Sequence, residues 1–306
     1  RNLILYLIIY FNKKKIVIFL NLVNIYNPFT IFFKGVIMYN FSKVWNVETL
    51  RAARGKKILP MLRVVTLEES SAAEAAGIDL LSVPPELVMD SRLRDVAPNA
   101  FLIPGDNFWT IGGPNDYIKW AFPLFENGAD CIYYQGSLES VKILAEHGIP
   151  VCGHVGLVPP KTSWTGGTKA VGKTLDKAKL VWEQCIAYEE AGAFAVEIEV
   201  VPEEITAAIA EKTGLYLISM GGGSKGHAQY LFSEDVLGQN DGHVPRHAKQ
   251  YANFLKEIKE LQAKRIQVMR SFANEVRSGD YPSDEYIVRA NKDVAEEFRE
   301  WLETNT

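Results

Sequence analysis

Two residues near the ends of apolar runs offer proton chemistry. Glu199 closes "AVEIE", where strand alternation puts Val196 and Ile198 on one face and Glu197 and Glu199 on the other. If that run is a barrel strand, one or both carboxylates face the interior or its mouth. A carboxylate there is partly desolvated, its pKa rises, and it can remove a proton at neutral pH. The same glutamates could instead pair with lysines or cap the following helix, which opens "VPEEI". His154 stands in "PVCGHVGLVPP", where an apolar run becomes a Gly/Pro-rich loop. Between Gly153 and Gly156 it could hydrogen-bond a substrate oxyanion or orient a carboxylate, and it could equally satisfy loop carbonyls. Gly221, Gly222 and Gly223 allow close backbone approach and expose N–H groups suited to a carboxylate or phosphate. A tight barrel-corner turn would use the same glycines. Ser82, Asp106, Gln135 and the run Ser219 to Ser224 complete the polar residues at strand ends.

The elements that must position these groups alternate regularly. From Lys57 onward, "KILPMLRVV", "IDLLSV", "AFLIPG", "ADCIYYQ", "IPVCGH", "AFAVEIE", "LYLISMGGG" and a last short run, "DVLGQ", read as strands, each followed by helix or loop. Several helices end in "AG" or "HG" and run directly into a β-branched apolar stretch, the pattern of a parallel sheet buried on both faces. Eight such units favour a closed (β/α)8 barrel over an open doubly wound sheet. No GxGxxG follows the first strand, and "GGGSKG" at 221–226 has neither that spacing nor a Walker Lys-Ser pair. In a (β/α)8 barrel the active site lies at the C-terminal ends of the strands, where the polar residues named above fall. From about residue 249 the chain turns helical and highly charged, an addition suited to pack on the barrel or on another subunit.

Residues 1–37 contain no Ala, Asp, Glu or Ser and are built mostly from Ile, Leu, Phe, Asn, Lys, Tyr and Val. The first methionine is Met38, and the segment reads as upstream DNA translated in frame or as a disordered extension, with a single barrel domain over 38–306. Lys13, Lys14 and Lys15 divide its apolar residues into runs of roughly ten, short of the ~20 that a membrane-spanning helix needs. Its five basic residues are balanced by no acid, so the net charge of −4 for the whole chain becomes −9 without them. An acidic body offers no footprint for nucleic acid. Three cysteines without CxxC spacing suit a reducing cytoplasm.

Four segments in register, "PVCGHVGLVPP" with the following "GGTKAVGKT", "AGAFAVEIEVVP" and "DGHVPRHAKQY", resemble the ketopantoate (3-methyl-2-oxobutanoate) hydroxymethyltransferase family over roughly Ile58 to Tyr281. The resemblance extends to "APN" before the third strand and "YPSDEY" near the end. It implies a (β/α)8 barrel of the phosphoenolpyruvate/pyruvate superfamily type and a cytoplasmic homo-oligomer of pantothenate biosynthesis. It further implies a 2-oxo acid substrate chelated by Mg2+, with 5,10-methylenetetrahydrofolate as the one-carbon donor. Glu199 falls on the position of the family's general base and His154 on its active-site histidine.

The metal positions differ. Where the family has Gly-Asp-Ser at the end of the second strand this chain reads "SVPPEL", which places Pro84 and Pro85 there. Gly105 aligns with the third-strand aspartate, leaving its neighbour Asp106 as the one carboxylate that a one-residue shift would bring in. On the fourth strand Tyr133 replaces a substrate-contacting lysine and Gln135 replaces an acid near the metal. An amide and a single carboxylate hold a hard, oxygen-seeking cation poorly, so loss of magnesium binding is expected. Glu199 and His154 are then the expected catalytic pair, with Ser82, Tyr133, Gln135, Gly221 and Gly222 as substrate contacts. The expected chemistry is hydroxymethyl transfer, or related C–C bond formation or cleavage, beside a 2-oxo acid's carbonyl. The alternative is a non-catalytic barrel that binds a small acid or a folate as a sensor or partner subunit.

Overall fold

The computed structural model describes residues 3–11, 14–22, 37–38, 44–105 and 111–305. Eight short strands form one parallel sheet: β1 (Leu59–Arg63), β2 (Leu80–Val83), β3 (Phe101–Pro104), β4 (Ile132–Tyr133), β5 (Val151–Gly156), β6 (Ala195–Glu199), β7 (Tyr216–Met220) and β8 (Ala228–Phe232). Their order is β3-β2-β1-β8-β7-β6-β5-β4, so the first strand pairs with the last and the sheet curls into a barrel. The remaining seam, between β3 and β4, carries no ladder among the described residues. It is bridged by Asp130, whose N–H donates to the Leu102 carbonyl (3.0 Å) and whose carboxylate accepts from the Leu102 N–H (2.8 Å). This is the expected (β/α)8 architecture.

The expected eighth strand lies elsewhere. "DVLGQ" begins inside a short helix, Ser233–Leu237, and the strand is the preceding "AQYLF". The Gly221–Gly226 turn separates that run from β7, and its inward members Ala228 and Tyr230 alternate with the exposed Gln229.

Alternation along every strand sorts side chains into two cores. Outward residues such as Leu81, Leu102, Ile132, Val151, Val196 and Leu217 pack under the helices. These include α1 (Leu67–Ala75), α2 (Pro114–Glu126), α3 (Leu138–Glu146), α4 (Leu175–Glu190) and α5 (Glu203–Ala210). Thr66, Ser137 and Thr174 cap α1, α3 and α4 by accepting the backbone N–H of Glu69, Ser140 and Lys177. Inward residues fill the barrel from its floor: Leu59, Leu80, Phe101, Tyr216 and Ala228, then Met61, Ile103, Cys131, Cys152 and Ile218. Continuing each strand in the same parity brings Arg63, Ser82, Tyr133, His154, Glu197 and Glu199 to the layer above. A dry apolar plug thus lies beneath a polar mouth.

Outside the barrel, Leu3–Phe11 and Lys14–Leu22 pair as an antiparallel hairpin, with Ile37–Met38 on the second strand's edge. A separate compact unit comprises Leu237–Gly242 and Tyr251–Thr306 and holds α6 (Phe254–Ser278) and α7 (Lys292–Asn305). Asn253 caps α6, and Lys259 on its first turns pairs with Asp241 at 3.0 Å. Among the described residues no helix is long and apolar enough to cross a membrane.

Candidate active site

At the polar layer β5 and β6 run side by side in a register that pairs His154 with Glu197 and Gly156 with Glu199. His154 Nε2 lies 3.1 Å from Glu199 Oε2, yet the two are out of line for a hydrogen bond, and Nε2 has no hydrogen-bond partner among the described residues. The other ring nitrogen, Nδ1, is bonded to the Tyr133 hydroxyl at 2.6 Å. That hydroxyl is also within hydrogen-bonding reach of Glu197. The result is a Tyr133–His154 pair beside Glu197, with one imidazole nitrogen next to Glu199 that has no hydrogen-bond partner among the described residues.

Burial sets the charge state of each member. Desolvation pushes the Glu199 carboxyl up to about 7. Glu197 is more deeply buried and is raised by desolvation, against the pull of His154. Desolvation lowers His154 and outweighs the attraction of Glu197, which keeps the imidazole neutral at pH 7. The Tyr133 phenol is driven well above its ordinary value by burial and by Glu197. One carboxylate therefore titrates near neutrality beside a neutral ring with an uncommitted nitrogen.

The backbone around Glu199 is constrained. Val200 adopts φ 48°, a left-handed conformation that a β-branched residue rarely takes. Its N–H donates to the Met220 carbonyl (2.8 Å) and its carbonyl accepts from Val171 (3.1 Å). The Glu199 carbonyl accepts from Leu157 (2.9 Å), and a Cβ on Gly156 would sit 2.4 Å from that same oxygen. Gly156 is thus required for the loop after β5 to cross so close to Glu199.

Sequence reasoning left three side chains here unassigned. Arg63 ends β1 with Nη1 3.5 Å from Ser82 Oγ and its guanidinium 5.9 Å from the Phe232 ring centroid. Tyr230, inward on β8, is buried, and that burial raises its phenol. Lys161, on the loop after β5, is close enough for its charge to depress His154. Period-two counting from Met61 would have found Arg63, but β1 is bounded by apolar residues on both sides and its end was not legible.

The expected substrate contacts divide. Tyr133 and Ser82 belong to the polar layer, and Gln135 follows two residues beyond Tyr133 with a buried Oε1 that has no partner among the described residues. Gly221 is exposed at φ 66°, and a Cβ there would meet His247 Nδ1 at 2.9 Å; at Gly222 it would meet Ser219 Oγ at 2.8 Å. This packing accounts for glycine at both positions without a ligand. Asp106 lies outside the described residues.

His154, Glu197 and Glu199 bring ligating atoms within 4.8 Å of one another, so this trio could hold a metal ion. One imidazole with two carboxylates suits a transition metal better than magnesium, which demands oxygen ligands and retains waters. Three of the strand-end positions expected for magnesium, Pro84, Pro85 and Gly105, offer it no ligand. Pro84 and Pro85 offer no side-chain donor, and at Gly105 even a Cβ would lie 3.0 Å from the Tyr133 side chain. The Tyr133 ring fills the space that a carboxylate from that position would need.

The fold and site define a (β/α)8 barrel with a carboxylate–imidazole–phenol cluster at the C-terminal ends of β4, β5 and β6. The sequence model of the ketopantoate hydroxymethyltransferase family matches residues 85–284. The 3-methyl-2-oxobutanoate hydroxymethyltransferase of Deinococcus radiodurans is 33% identical over 73% of this chain and 86% of its own. Its namesake from Shewanella halifaxensis is 34% identical, with 78% and 97% covered. Among solved structures, 2,3-dimethylmalate lyase, described as a PEP mutase/isocitrate lyase superfamily member, aligns over 84% of this chain and 98% of that one at 11% identity and TM-score 0.44. The chain belongs to the ketopantoate hydroxymethyltransferase family, a family of transferases.

Proposed function

We propose that the protein catalyses hydroxymethyl transfer, or a closely related bond-making or bond-breaking step, at the carbon beside the carbonyl of a small 2-oxo acid. One observation carries this reading: a carboxyl with pKa about 7 lies 3.1 Å from a buried imidazole nitrogen that has no hydrogen-bond partner among the described residues. Glu199 is the base that takes the proton next to the ketone, and the His154 Nε2–H donates to the enolate oxygen that then forms. On this assignment the Tyr133 hydroxyl donates to Nδ1, which leaves the ring proton on Nε2. Removing one such oxyanion donor costs about 10²–10³ in rate. The enolate carbon of the acceptor, with 3-methyl-2-oxobutanoate as the reference, bonds to the methylene carbon of 5,10-methylenetetrahydrofolate, the proposed donor, whose C–N bonds break so that tetrahydrofolate leaves and water supplies the hydroxyl oxygen. Gln135 and Ser82 contact the substrate, and the enzyme works as a cytoplasmic homo-oligomer without a magnesium ion at the inherited positions.

The test is hydrogen–deuterium exchange at the carbon beside the ketone of 3-methyl-2-oxobutanoate in D2O, with metal analysis of the same preparation. Exchange is expected in the intact protein, with and without EDTA, and is expected to fall at least about 10²-fold in Glu199→Gln. Stoichiometric magnesium with exchange only in its presence would sink the metal-independent part. No exchange in the intact protein would favour the binding barrel.

A further inference from the structure

We propose that Arg63 anchors the substrate's carboxylate: its guanidinium, with the Ser82 hydroxyl alongside, binds the carboxylate of a small 2-oxo acid and aims the ketone at β5 and β6. This rests on the reading of the mouth as a 2-oxo acid site. Arg63 is the last residue of β1 and is in register with Ser82 on β2. Its inward parity carries the side chain into the mouth, where it is half-buried. Among the described residues it makes a single hydrogen bond, the long one of 3.5 Å to Ser82, and has no carboxylate within 4.0 Å. Most of its five N–H donors therefore make no hydrogen bond to the described residues and are available to a carboxylate that enters the mouth. Phe232 lies under the guanidinium and holds the planar fork against one wall, so less orientational freedom is lost when a carboxylate binds.

Electrostatics require such a group. Glu199 must be ionised to act as a base, and an arriving carboxylate is repelled by it. At about 6 Å and an effective dielectric near 20, each like-charge pair costs about 3 kcal/mol. A cation on the opposite wall offsets that repulsion, and Arg63's charge does reach this cluster, since it pulls the Glu197 carboxyl downward. The topology supplies the span: β1 and β6 are separated by β8 and β7 in the sheet. An acid held by its carboxylate at β1–β2 then extends across the mouth towards Glu199.

Binding of 3-methyl-2-oxobutanoate to the full chain in EDTA, followed by calorimetry, tests the anchor. The wild type should bind, Arg63→Gln should weaken binding by about 30-fold or more, and Arg63→Lys should fall between them. The uncharged 3-methyl-2-oxobutanamide should bind the wild type and Arg63→Gln alike. The anchor is refuted if Arg63→Gln binds the acid within about threefold of wild type, if it loses acid and amide equally, or if the wild type needs added metal to bind. Arg63-dependent binding without proton exchange would leave the anchor standing and sink the catalytic reading. Proton exchange with unchanged acid binding in Arg63→Gln would do the reverse.

Discussion

At the scale of single residues, the fate of Glu199 is decided by solvent. Its side chain is 12% exposed, and burial alone lifts the carboxyl to about 7. Proton abstraction needs the ionised form, so the exchange rate should rise with pH through about 7 and level off above it. A profile still falling between pH 7 and 5 supports the assignment; one that levels off only near the ordinary carboxylate pKa would show that Glu199 is not the base. The same shift acts on stability with the opposite sense. Because the folded pKa is above the unfolded one, the folded state holds more protons between pH 4.5 and about 7, and stability falls as pH rises through that window. Glu199→Gln should remove a loss on the order of 3 kcal/mol, read as a flatter dependence of chemical-denaturation stability on pH. Of the cluster, Glu199 and His154 were legible as polar residues ending apolar runs. Arg63 and the pairing of Tyr133 with His154 were not, because a strand buried on both faces gives no sequence mark of which parity points inward. The Gly105–Tyr133 contact was hidden for the same reason, though replacement at both positions was visible.

Among the elements, the β6 end shows how a strand aims its last side chain. Val200 at φ 48° turns the chain immediately after Glu199, and its N–H and carbonyl are both tied to neighbouring segments. That conformation costs about 1–3 kcal/mol in a β-branched residue and persists because the surroundings hold it. Val200→Gly should raise stability by about 1 kcal/mol in a denaturation midpoint while lowering proton exchange, since the relaxed backbone no longer fixes the Glu199 carboxyl beside His154. Lower stability would show that the side chain's packing outweighs the strain; unchanged exchange would remove the positioning role. The strand–helix rhythm was legible because β-branched runs and helix-ending glycines repeat. The eighth strand was not, because "AQYLF" follows a glycine-rich turn and contains a glutamine, while the more apolar-looking "DVLGQ" begins in a helix.

For the whole barrel, the weak point is also the point on which the site depends. Among the described residues seven of the eight seams are laddered, and the eighth, β3 to β4, is bridged by Asp130. Asp130 in turn pairs with Arg94 at 2.7 Å, and Arg94 donates to the carbonyls of Ala97, Ala100 and Gly128. Both partners are largely buried, with side chains 15% and 20% exposed, so removing the carboxylate strands a guanidinium away from solvent. Tyr133 lies on β4 only three residues beyond Asp130 and supplies the hydroxyl that engages His154 Nδ1, so loosening this seam shifts the imidazole without touching Glu199. Asp130→Ala should cost about 3 kcal/mol in denaturation, speed exchange of the Leu102 amide before that of β6 amides, and reduce catalytic proton exchange. Asp130→Asn keeps an acceptor for the Leu102 N–H but not the charge, and should retain slow Leu102 exchange while losing most of the stability. If Leu102 stays as protected in the alanine variant as the β6 amides, the seam is closed by packing alone and the link from Asp130 to the site is broken.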